Sequence, residues 1–117
     1  MRLKSELWVK AYLRTAAVKG CPGAVVHHGD DEAGAIFIKV TRRDATAMLF
    51  GPAPAGIDEG DRDRKWVPFL KGAWMSEADV DEALEKERRF DSDLWIIEIE
   101  SADGHAHLDG WLLATPK

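Results

Sequence analysis

The sequence predicts an α+β domain, with a mixed, mostly antiparallel sheet of five or six strands and two helices packed on one face. Three observations point that way. Apolar residues recur at helical spacing in two short segments, residues 5–19 and 77–89. The remaining apolar segments alternate with a period of two or are apolar throughout, and are five to nine residues long. The early connections are too short for parallel crossovers, which favours antiparallel neighbours. A length of 117 residues fits one domain spanning 1–117.

The first helix is expected over 5–19. Ser5 is a plausible N-cap, Leu7, Trp8, Tyr12, Leu13, Ala16 and Ala17 form the apolar stripe, and Gly20 sits where a terminating glycine belongs. Residues 24–28, 35–41 and 46–50 read as three strands of an antiparallel meander. In the second, Ile36, Ile38 and Val40 alternate with Phe37 and Lys39. Residues 51–65 hold two prolines, three glycines and an alternating charge run, the composition of a long loop. A short strand over 66–70 is confined to an edge by Pro68.

Ser76-Glu77-Ala78-Asp79 resembles a capping box and opens the second helix. Its thin stripe of Val80, Ala83 and Leu84 lays it on the sheet. Residues 94–100 are apolar on both faces, as a central strand requires. Asp103-Gly104 is a type I′ hairpin signal, so residues 105–113 are expected to return as its partner strand.

At Leu7-Trp8-Val9, Gly34-Ala35-Ile36-Phe37-Ile38, Leu49-Phe50-Gly51-Pro52-Ala53-Pro54 and Arg88-Arg89-Phe90-Asp91-Ser92-Asp93-Leu94-Trp95, the chain resembles domain-of-unknown-function family 1491, short and mainly alphaproteobacterial proteins. The resemblance spans nearly the whole chain, weakens after Leu108, and is most specific over 90–98. It implies one compact domain in a bacterial cytoplasm and carries no activity or assigned site residue.

The composition narrows function mainly by exclusion. A net charge of −5 argues against a general nucleic-acid binder. No apolar run approaches the ~20 residues needed to cross a bilayer, and no secretory h-region follows the charged start. A cytoplasmic protein is expected. Walker A, Gly-x-Gly-x-x-Gly, Gly-x-Ser-x-Gly and His-Glu-x-x-His patterns are absent from the sequence, so no cofactor is implied. Cys21 is the only cysteine, and no histidine near it in sequence could lower its pKa.

Three candidate sites remain. Trp66, Trp74 and Trp111 fall near predicted edges and loops, where indoles serve as interface anchors, whereas Trp8 and Trp95 belong in the core. The first twenty residues carry +4 and the remainder −9, a split suited to docking. Together these favour a small interaction or accessory module that binds a protein partner or forms a homo-oligomer. In the expected hairpin, His105, His107 and Glu100 share one face, so a metal-dependent enzyme is the alternative. Adjacent His27 and His28 point to opposite faces and cannot chelate together. A third reading is small-ligand binding beneath the 51–65 loop, in a pocket lined by Phe50, Trp66 and Phe69.

Overall fold

The computed structural model describes residues 3–54, 64–109 and 111. Its elements run α1 (Ser5–Val18), β1 (Gly23–His27), β2 (Ile36–Thr41), β3 (Thr46–Pro52), β4 (Trp66–Pro68), a 3₁₀ turn (Leu70–Gly72), β5 (Met75–Ser76), α2 (Glu77–Phe90) and β6 (Trp95–Glu100). The strands form one sheet in the order β1-β6-β2-β3-β4, with β5 paired to β3. Among the described residues, the β2–β6 ladder alone is parallel and the other four are antiparallel. The expected α+β class, mixed sheet and two helices are therefore present.

The meander expected for the first three strands is not. β2 and β3 form a hairpin, but β6 inserts between β1 and β2. The reason is burial. β6 is the most apolar strand on both faces, and only an interior position covers both. Its Trp95, Ile97 and Ile99 join Ile36, Ile38, Val40, Met48 and Phe50 on one side of the sheet. Its Ile96 joins Phe37, Ala47 and Leu49 on the other.

The same two-sided pattern corrects the placement of the helices. They lie on opposite faces: α1 covers the first side with Trp8, Val9, Tyr12 and Ala16, and α2 covers the second with Val80 and Leu84. Strands that are apolar on both faces need a cover on each.

Helix termini follow local chemistry in one case and tertiary chemistry in the other. Ser76 Oγ accepts the Asp79 N–H and caps α2 as expected. The N-cap of α1 is Lys4, whose side chain makes no cap bond. Ser5 instead lies buried inside the first turn. Its hydroxyl donates to Gly34 O at 2.7 Å and accepts from Arg64 Nη2 at 2.8 Å, tying the helix start to two distant segments. Gly20 ends α1 at φ +85°, a left-handed conformation open to glycine.

Residues 105–109 are not the second arm of a hairpin. Asp103-Gly104 does turn, with Gly104 at φ +80° and the Asp103 carboxylate accepting the His105 N–H. The chain then bends again at His107, where φ is +56°, and runs over the α1 side of the sheet. There Leu108 enters the core and Tyr12 donates its hydroxyl to Ala106 O at 2.6 Å. An apolar side chain that can complete an existing core outweighs a short extra ladder. Among the described residues, no helix is long and apolar enough to cross a membrane.

Candidate functional site

The residues expected to bear function divide into those that close the core and those that remain accessible. Trp66 belongs to the first group, at 1% exposure. Its indole N–H donates to Ile36 O at 2.9 Å, and its ring stacks on Trp8 at 4.1 Å. Trp111 meets Trp8 edge-on at 5.2 Å and is half-buried. Trp74, also half-buried, carries the Arg42 guanidinium 3.8 Å above its ring. Trp66 thus closes the core, while Trp74 and Trp111 sit half-buried at its margin.

The pocket expected from Phe50, Trp66 and Phe69 is not assembled. Phe50 and Trp66 lie in the α1-side core, whereas Phe69 packs against Phe37 on the α2 side, with the sheet between them. Residues 55–63 of the overlying loop lie outside the described residues. Strand alternation separates Phe50 from Phe69, since odd and even offsets face opposite ways.

Nor do His105, His107 and Glu100 converge. Without the hairpin, Glu100 stays at the end of β6, beside Thr41, and its N–H donates to Pro22 O. The two imidazoles stack at 4.5 Å. No three His, Cys, Asp or Glu side chains group at metal-binding geometry among the described residues. His27 Nδ1 lies 2.8 Å from Leu94 O, and His28 pairs with Asp31 over the Trp95 ring.

What the fold does bring together is Cys21 and His107, with Sγ 3.2 Å from Nε2. Burial, and then repulsion by His105 and Lys19, holds the His107 imidazole below its ordinary pKa of 6.5. A neutral ring can accept the thiol proton at Nε2. Its Nδ1 is buried without a hydrogen-bond partner. The two residues are 86 apart in sequence, so no local signal announces the pair.

A set of accessible recesses involves the α2 side of the sheet. α2 rests mainly on β3, while α1 lies over β1 and β6 on the opposite face. On the α2 side, Ile96 of β6 is buried, and the uncovered apolar surface belongs to β1. Val26 is 61% exposed there, and Ala24 is exposed beside it. A recess of about 270 Å³ runs between Val26, Leu84 and Ile96, with Lys39, Asp81, Glu85, Arg88 and Glu98 as its polar wall. A second, of about 370 Å³, opens at the carboxyl ends of β2 and β6, between Arg42, Arg43, Glu77 and Glu100. A third, of about 200 Å³, lies at Pro22, Gly23 and Ala24. Glu98 lines all three, so they adjoin along the charged side of β6.

Lys39 anchors this groove. Its side chain is only 7% exposed, and its ammonium lies 2.8 Å from Asp81, 3.0 Å from Glu98 and 3.1 Å from Glu77. Burial pulls its pKa down, but the hydrogen bonds it donates to Asp81, Glu98 and Glu77 outweigh that and hold it above the ordinary lysine range. The cluster clamps α2 to β2 and β6. It also leaves three carboxylates around one cation.

Comparison with known proteins places this architecture. The family model described as "Protein of unknown function (DUF1491)" matches residues 3–109. The solution structure of protein Atu0922 from A. tumefaciens is 42% identical, covering 86% of this chain and 87% of that one, with a TM-score of 0.75. A crystal structure of a DUF1491 family protein from Caulobacter crescentus CB15 is 34% identical, covering 97% of this chain and 100% of that one, with a TM-score of 0.79. An NMR structure of a DUF1491 family protein from the same organism is 36% identical, covering 97% and 99%, with a TM-score of 0.79. No curated protein matches. The chain belongs to the DUF1491 family.

Proposed function

We propose that this chain is a small docking module that binds a protein partner over the α2-side surface of β6 and β1. The observation that carries the reading is the offset of the two helices. α1 covers β6 and β1 on one face, while on the other α2 buries Ile96 of β6 and leaves Ala24 and Val26 of β1 exposed. Exposed Val26 and Ala24, beside a recess walled by charged side chains, supply a small apolar floor with a polar rim. The occupant that fits is an amphipathic helix of a partner protein, lying beside α2. A net charge of −5 on each copy opposes pairing of two copies.

A photo-crosslinking residue at position 26, with one at exposed Lys71 as control, tests this in the native host. The expected result is a discrete adduct from position 26 alone, mapping to one amphipathic segment of another protein. Identical adducts from both positions, no adduct from position 26, or an adduct between two copies of this chain overturns it.

A further inference from the structure

The charge of the groove specifies its occupant, and we infer that the docked helix is cationic. The inference rests on the docking reading and adds the chemistry of the partner. Lys39 is enclosed and held by three carboxylates, so its ammonium is not presented to a ligand. The carboxylates are. Asp81, Glu77 and Glu98 keep 59%, 38% and 33% of their side chains exposed, so the carboxylate-bearing side chains stay open to solvent around the cluster. Three negative charges against one positive leave a surplus of −2 at the middle of the recess. Glu100 adds to it at the carboxyl end of β6 and makes no ion pair among the described residues.

The cations on the rim do not cancel this surplus. Arg88 is engaged with Glu85 at 3.6 Å, and Arg42 stacks over Trp74 while reaching Asp44 at 3.8 Å. Arg43 is exposed at the far end. A lysine or arginine side chain from above would complete the outward coordination of Asp81 and Glu98, while apolar residues of the same helix settle on Val26 and Ala24. Partial burial makes such pairs stronger than on open surface, and steering by the surplus charge speeds encounter. An anionic helix in the same place would face uncompensated repulsion.

The test is an NMR titration of the full chain with three synthetic 14-residue helical peptides. They share one leucine stripe and differ in having lysine, glutamine or glutamate at the polar positions. The lysine peptide is expected to shift the amides of Ala24, Val26, Ile96 and Glu98, to bind more tightly than the glutamine peptide, and to weaken as salt is raised. The Glu85→Gln and Glu100→Gln variants leave the Lys39 cluster whole. Each is expected to weaken the lysine peptide roughly threefold, the worth of one partly solvated charge pair. If the glutamine or glutamate peptide binds this face as tightly as the lysine peptide, the cationic assignment is overturned while the docking reading stands. If no peptide shifts these amides, both fall.

Discussion

The sulfur of Cys21 lies 3.2 Å from Nε2 of His107, a contact made by residues at opposite ends of the chain. Burial lowers the His107 pKa below 6.5, so the folded state resists protonation that the unfolded state accepts at 6.5. The unfolded chain therefore binds more protons below that pH, and stability falls as pH drops below 6.5 toward the folded value. Above 6.5 the contribution is fully present. An NMR titration is expected to give His107 a midpoint below 6.5. His107→Phe is expected to flatten the pH dependence of chemical denaturation in this window.

Replacing Lys39 by methionine leaves Glu77, Asp81 and Glu98 facing one another with no cation between them. Removing one partner of a fully buried pair costs several kcal/mol. Here the carboxylates are partly solvated, so the expected loss is about 2 kcal/mol at pH 7. The penalty comes from repelling anions whose protonation the fold now favours. It should therefore shrink toward pH 4, which urea denaturation of Lys39→Met at the two pH values measures.

Trp66 and Trp111 both touch Trp8, yet their substitution should differ. Trp66→Phe removes the donor to Ile36 O inside a closed core and is expected to cost about 1–2 kcal/mol. Trp111→Phe keeps an edge contact at a half-buried site and should cost under about 1 kcal/mol. Parallel denaturation of the two variants gives the comparison.

A methyl group at Gly29 would collide with Asp93 O and the Leu94 backbone, where the β1–β2 connection passes the start of β6. Because the obstacle is backbone, Gly29→Ala is expected to lose about 2 kcal/mol or more. Gly20→Ala meets nothing within 4 Å and should pay only the left-handed conformational penalty, about 1 kcal/mol. Thermal unfolding of both separates the steric cause from the conformational one.

The sequence alone determined what depends on near neighbours along the chain. The apolar stripe of α1, the serine cap of α2, the β2–β3 hairpin and the two-faced character of β6 are written at spacings of two to four residues. The resemblance in segments such as Arg88 to Trp95 was legible as well, and it led to the family. Tertiary structure decided whatever depends on which surfaces remain to be covered once the elements exist. β6 went between β1 and β2, and the helices went to opposite faces, because two-sided strands demand two covers. Residues 105–109 gave up a hairpin for the core opening that Leu108 fills. That choice broke up the set His105, His107 and Glu100 and brought His107 to Cys21. Ser5 likewise left the capping role its position suggests for bonds to Gly34 and Arg64. Local patterns encode which way a side chain faces; only the competition for a shared core settles what it meets there.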